Sequence, residues 1–264
     1  MPEAPRDVPG SEDAGGRSAA HDARGTARSR TAGERERLLR WLGLQPSTGE
    51  VVRFFLDAAI PDGGGRVVDA GCGRVSALVP FRSRIAELTG VDIHPLDRPL
   101  AWLDRFVVAD LCTDPGALPA GSVDVVLSSF TVEHFADPPA AFRTIATWLR
   151  PGGTLVLTTV NRAHPFVGAY LSLPRVVSGR LQRLVKAGPG DAHRLVGACN
   201  DPAALRQALA GAGFDEIELI TTDHLARAWG RHRATFAAGL LGDLAAHRFP
   251  ARRSTIVGRA VRAA

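Results

Sequence analysis

The chain is poor in several residue types, and each shortage closes off a class of function. Of its 32 basic residues a single one is lysine, Lys186; the rest are arginine. With 28 glycines, 18 prolines and abundant alanine, this is the imprint of a GC-rich genome, so a basic pI is weak evidence for a nucleic-acid partner. The basic runs also lack the interleaved aromatics that stack on bases, and nucleic acid is not expected as a partner. Three cysteines, Cys72, Cys112 and Cys199, are scattered, which excludes a disulfide framework and leaves no paired metal-ligand spacing. No metal is expected. No uncharged run reaches the roughly 20 residues that cross a bilayer, and no apolar leader opens the chain, so a cytoplasmic protein is expected.

What is present is enough apolar sequence for one sizeable core: 45% hydrophobic residues over 264 positions. Residues 1–32 carry little of it and read as a disordered tail. The remainder, 33–264, reads as a single domain. "ERERLLRWLG" and "GEVVRFFLDAAI" predict two amphipathic helices within 33–60. Buried strands are then expected at 66–70, 87–93, 105–111, 123–129 and 154–161, with a helix over 137–153. After an irregular stretch come a helix over 201–214, a strand over 215–220, a helical segment to about Ala246 and a last strand in "RRSTIVGRAVRA". This rhythm predicts an α/β fold with a doubly wound, mostly parallel sheet.

The irregular stretch, 162–200, follows a strand's C-terminal end and is placed to cap a ligand cleft. It holds six basic residues against one acid, Asp191. Phe166, Val167, Tyr170, Leu171 and Leu173 supply an apolar wall; Arg175, Arg180, Arg183 and Lys186 could meet phosphate or carboxylate. An ordinary solvated cap helix accounts for the same residues. Residues 224–264 hold eight arginines against Asp243. A solvated face, an anionic ligand and a membrane surface all fit that bias.

"VVDAGCGR" at 67–74 carries the ligand question. Asp69 ends a strand, and Gly71 and Gly73 allow a tight turn with close approach of ligand to backbone. A helix is expected to follow and to offer its free N–H groups. A dinucleotide fingerprint needs a glycine where Ser76 stands, and the phosphate-loop G-K-[ST] is missing, so a pyrophosphate cradle is disfavoured. Asp92 ends the second strand, where an acid can accept both hydroxyls of a ribose. Asp110 stands at the end of the third, in reach of an adenine amino group. Each acid has a plain structural use as well; their placement at neighbouring strand ends favours a nucleoside.

Those motifs, with "VDVVLSSFTVEHFADPPAAFRTIATWLRPGGTLVLTTVN" and "LAGAGF" after them, resemble the class I S-adenosylmethionine-dependent methyltransferases, in the small-molecule, methyltransferase 11-like group. The resemblance covers about 60–261. It implies a Rossmann-like seven-stranded sheet whose last strand is antiparallel, with S-adenosyl-L-methionine as cofactor. It assigns Asp69, Gly71, Cys72 and Gly73 to the methionine end and the turn, Asp92 and Ile93 to the ribose side, Asp110 and Leu111 to adenine, and Ser128, Ser129 and Phe130 to the fourth-strand wall. Glu133 and His134 match the group's "EH". Many members carry a glycine where Val75 stands here.

Methyl transfer from a sulfonium needs alignment of the nucleophile and exclusion of water, with a base when the acceptor is a hydroxyl. His134 is the first candidate base and His164, opening the 162–200 stretch, the second. Both have structural readings as loop histidines. The expected activity is methylation of a small molecule, O-methylation ahead of C- or N-methylation. A lipid- or glycan-linked anionic acceptor suits the cap, as does a polyketide or quinone precursor. Peripheral membrane contact is compatible with the charge pattern, and monomer and homodimer both remain open. The alternatives are a non-catalytic cofactor-binding or scaffolding protein on the same fold, and an NAD-dependent enzyme.

Overall fold

The computed structural model describes residues 32–173, 196–230 and 232–264. The expected tail, apart from Ala32, and the basic centre of the cap, including Arg175, Arg180, Arg183 and Lys186, lie outside the described residues. The chain divides into two compact units, 1–45 and 46–264.

In the first unit, α1 spans 32–41. Gly43, at φ 75°, ends it: Leu44 N–H reaches Leu39 C=O and Gly43 N–H reaches Arg40 C=O, both at 3.0 Å. That pair of bonds satisfies carbonyls a helix end would leave bare.

The second unit opens with α2 (Thr48–Ala59). Ser47 and Glu50 form a reciprocal capping box at its start. The seven strands are β1 (Gly65–Ala70), β2 (Ile85–Asp92), β3 (Arg105–Val108), β4 (Val123–Ser129), β5 (Leu149–Val160), β6 (Phe214–Thr222) and β7 (Thr255–Arg262). They form one sheet in the order β3-β2-β1-β4-β5-β7-β6. All neighbours are parallel except β7, which runs antiparallel between β5 and β6. The expected Rossmann-like sheet with an antiparallel last strand is therefore the one observed. Chain order reverses at β1, whose neighbours are β2 and β4. Open α/β sheets bind ligands at such a switch, beyond the strands' C-terminal ends.

The continuous β-branched runs read from sequence are strands buried on both faces. On one face Val51, Val52, Phe55 and Leu56 of α2 pack against Val67, Leu88, Val125, Leu127, Val156 and Val257. On the other, α3 (Pro138–Trp148) and α5 (Pro202–Gly211) lay Phe142, Ile145, Trp148, Leu205 and Leu209 on Val68, Val126, Leu155, Leu157 and Ile256. Asp137 and Asp201 cap these two helices, each followed by proline in the first turn. Between them in the chain, α4 (Pro165–Ser172) starts the cap; α6 (Leu225–Ala228) and α7 (Arg233–His247) follow β6.

Two expectations are corrected. No α-helix follows the glycine turn: residues 71–78 are turns, and Val79–Arg84 is a short 3₁₀ segment. Pro80 lacks the N–H an α-helix begun at Gly73 would need, and its ring would meet the carbonyl four residues back. Ser76 also competes, since its hydroxyl bonds Leu78 N–H at 3.1 Å and the Asp69 carboxylate. The third strand is shorter than expected, ending at Val108 rather than 111.

Candidate functional site

The site is built by backbone register. Asp69 pairs with Gly90 and Asp92 with Val108, so the ends of β1, β2 and β3 lie side by side. The turn after β1 folds back over β2: Gly71 and Cys72 both donate to Val91 C=O, at 2.7 and 3.2 Å. Asp92 then fastens the turn, accepting Gly73 N–H at 3.0 Å on one oxygen and His94 N–H at 3.1 Å on the other. A carboxylate has about four lone-pair positions, so two remain for hydroxyls from outside. Above this rim, Arg74 pairs with Asp97 at 2.9 Å, linking the loops after β1 and β2.

The two glycines differ in purpose. Gly71, at φ 76°, is required by the protein itself: a Cβ there would lie 2.4 Å from Thr131, which crosses over the turn from β4. Gly73, at φ 50°, faces open space, with nothing within 4 Å of a Cβ. That opening is bordered by Asp92, and Ile93, next along the chain, is 53% exposed. An open backbone face, a carboxylate with spare acceptor capacity and an exposed apolar side chain fit an adenosine.

Several assigned residues support the rim from beneath. Asp69 is fully buried with its carboxylate on Ser76 Oγ; burial pushes its pKa up to about 7, only partly offset by that hydrogen bond, and Asp92 raises it further. It holds the turn and does not face the opening. Cys72 packs below against Gly90, and burial lifts its thiol to about 12, so it is no nucleophile. Asp110 lies two residues past β3, half-buried, with Oδ1 on Cys112 N–H at 2.8 Å. Ala109 N–H on Asp92 C=O at 3.0 Å keeps it beside Asp92. Leu111 is buried in the same core cluster as the apolar residues of α3. Ser128 is likewise buried, and its Oγ has no partner.

The wall after β4 is strained. Phe130 sits at φ 52°, a region costly for a side chain with Cβ, and is pinned by N–H bonds to Thr158 C=O and Oγ1, both 3.0 Å. Its ring stacks on His224 at 5.1 Å. His224 was not singled out by sequence, because nothing in "TTDHLA" signals that β6 aims a ring across two intervening strands. Burial, with Arg227 nearby, lowers His224 to about 4, so the imidazole is neutral; its Nδ1 has no partner.

The two histidines proposed from sequence have different places. His134 closes the 3₁₀ turn Val132–His134 directly after β4 and is half-buried. Glu133 beside it is buried and accepts Thr159 Oγ1 at 2.9 Å; Asn200 Nδ2 donates to the same hydroxyl at 2.8 Å. Glu133 C=O accepts Val196 and Gly197 N–H, tying the turn to the far end of the cap. His164 is corrected. It is wholly buried, Nδ1 accepts Phe166 and Val167 N–H at 3.2 and 3.4 Å as the N-cap of α4, and Nε2 meets Gly242 C=O at 3.2 Å. With both nitrogens on backbone, it positions the cap and cannot also take a proton from an acceptor.

A family model described as a methyltransferase domain matches residues 33–219. The chain is 30% identical to nocamycin O-methyltransferase of Saccharothrix syringae, covering 79% of this chain and 89% of that one. It is 35% identical to a ubiquinone biosynthesis O-methyltransferase of Xanthomonas axonopodis over 51% of this chain and 57% of the relative. Among solved structures, phosphoethanolamine N-methyltransferase 2 of Haemonchus contortus, in complex with phosphomonomethylethanolamine and S-adenosylhomocysteine, shares the fold: TM-score 0.53, 16% identity, 81% of this chain and 53% of that one. With the sheet order, the turn fastened by Asp92 and the opening over Gly73, these matches place the chain among the class I S-adenosylmethionine-dependent methyltransferases.

Proposed function

We propose that the chain methylates a hydroxyl oxygen of a small molecule. The observation that carries this reading is the match to nocamycin O-methyltransferase over most of both chains. The ubiquinone-pathway relatives lean the same way. Amine acceptors are named for the phosphoethanolamine relatives, of which this chain covers a third, so N-methylation is the second reading.

S-adenosylmethionine supplies an electrophilic methyl group on a sulfonium; the protein aligns the nucleophile and keeps water out. In this reading Asp92 accepts the ribose hydroxyls, Gly73 admits the cofactor to the backbone, Ile93 lies against adenine and Asp110 receives its amino group. Phe130, fixed by Thr158, forms the wall on the acceptor side. His134 receives the acceptor's proton, worth about 10²–10⁴ in rate for a positioned base. The buried Glu133–Thr159–Asn200 chain holds the turn that carries it. Among the described residues no helix is long and apolar enough to cross a membrane, and a cytoplasmic placement completes the reading.

The test is a methyl-labelled S-adenosylmethionine screen against small-molecule extracts, with the product identified by mass spectrometry. An O-methyl product is expected. Exclusive N- or C-methylation, with S-adenosylhomocysteine still bound, overturns the choice of atom. His134→Ala is expected to cut turnover by at least 10² while leaving S-adenosylhomocysteine affinity unchanged; full activity across the pH range would return His134 to a structural role.

A further inference from the structure

A surface helix normally turns a polar face to water. The helix α7, Arg233–His247, does not. From Ala234 to Ala246 its one charged residue is Asp243, and that residue is buried. Asp243 faces inward, accepting Leu225 N–H at 3.1 Å, Ala226 N–H at 2.8 Å and Ser254 Oγ at 3.1 Å. Phe236, Gly239, Gly242 and Ala246 share its buried face.

The outward positions are Ala234, Ala237, Leu241, Leu244 and Ala245. Leu241 is 66% exposed, and Phe249 just past the helix is 56% exposed. Arginines frame this strip: Arg233 at one end, Arg248 and Arg252 at the other, all exposed. The Arg252 guanidinium lies 5.7 Å over the Phe249 ring. The neighbouring arginines are committed elsewhere: Arg253 reaches toward Asp223, Arg259 toward Glu216, and Arg262 bonds Leu149 C=O. Among the described residues none of the three framing arginines is ion-paired. An apolar strip with cations at its rim and no surface acid is complementary to an anionic bilayer, where leucine and phenylalanine enter the acyl boundary and arginines reach headgroup phosphates. A second copy of the chain fits poorly, since antiparallel pairing of two such helices sets Arg233 against Arg248.

We propose that α7 and the Phe249–Arg252 segment dock the protein on an anionic membrane surface. The inner face of α7 adjoins the cap: His164 touches Gly242 C=O, and a Cβ on Gly242 would lie 2.8 Å from the Phe166 ring. Docking therefore brings the cap side of the cleft to the lipid surface, whichever atom is methylated.

The experiment is co-sedimentation of the full chain with vesicles of phosphatidylcholine alone and of phosphatidylcholine with 30% phosphatidylglycerol. Binding to the anionic vesicles, at least tenfold above the neutral ones and weakened by salt, is expected. Leu241→Asp should abolish most of it. Arg248→Gln with Arg252→Gln should lower it about fivefold per arginine, at roughly 1 kcal/mol each. Melting temperature and S-adenosylhomocysteine binding should be unchanged in both variants, which separates loss of docking from misfolding. Equal or absent binding to the two vesicle types overturns the proposal. So does a solution dimer that Leu241→Asp dissolves, which would make the strip an interface between copies.

Discussion

From Gly65 to Gly121 the described chain contains no α-helix: β1, β2 and β3 are joined by turns and short 3₁₀ segments. From Pro138 onward, helices pack on the strands and buried polar groups knit the loops together. In the proposed reading the first half presents the cofactor rim and the second the acceptor wall. On the rim, side chains hold backbone: Asp92 on Gly73 and His94, Ser76 on Leu78. In the wall, side chains hold one another across long sequence separations, as in Glu133–Thr159–Asn200. The lesson is that a rim on turns can be shaped by a few side chains holding backbone, whereas the buried wall is held by side chains bonding one another, even with Ser128 Oγ, Asn200 Oδ1 and His224 Nδ1 left without partners.

Substitutions test that contrast, beginning with the largest effect. Trp148→Ala, at a residue with no exposure whose Nε1 donates to Pro115 C=O, should cost about 3–5 kcal/mol in chemical denaturation. A loss below about 1 kcal/mol would mean the acceptor half is not the rigid one. Asp69→Asn probes the rim. The wild-type carboxyl titrates near 7 when folded and near 3.8 as an unperturbed group. Its contribution is therefore fully present below about pH 4 and lost as pH rises through about 7, amounting to about 4 kcal/mol at most. The variant keeps an oxygen for Ser76 without the charge, so its denaturation midpoint should change less than wild type between pH 5 and 8. Parallel pH curves would show that the acid is not held protonated.

Asp92→Ala should weaken S-adenosylhomocysteine binding by about 1–3 kcal/mol in calorimetry, through lost charged hydrogen bonds. An unaltered affinity would remove Asp92 from the ribose. His164→Ala should lower stability by about 1–2 kcal/mol, the cost of losing a helix cap, with Asn recovering part of it. Turnover per folded molecule should hold within about twofold; a hundredfold fall would make His164 a participant after all. Val75→Gly should do least. Val75 is 88% exposed, and its substitution should stay within about 0.5 kcal/mol in stability.

The sheet was legible because the runs at 66–70, 123–129 and 154–161 are apolar on both faces, and only a sheet covered twice uses such runs. Helix starts were legible where an acid precedes proline, at Asp137 and Asp201. The absent helix after Gly73 was misread because "SALVPF" has helical apolar spacing; Pro80 and the Ser76 hydroxyl outweigh that spacing locally. Positions of the acids could be read from strand ends, but which carboxyl would be buried could not: Asp69 and Asp92 stand in the same kind of motif and differ only in what lies above them. His164 and His224 were illegible for a related reason. One caps helix α4 and is held from its other nitrogen by Gly242 C=O, far along the chain; the other meets Phe130 from three strands away.

The antiparallel β7 sits between β5 and β6, not at a sheet edge. Until residues 255–262 have been synthesised, β6 has no neighbour to join, so a nascent chain must hold that strand unpaired while its final insertion is pending. Loss of this segment would thus detach two strands instead of one, and would leave Thr154–Val160 as a bare template for unwanted pairing.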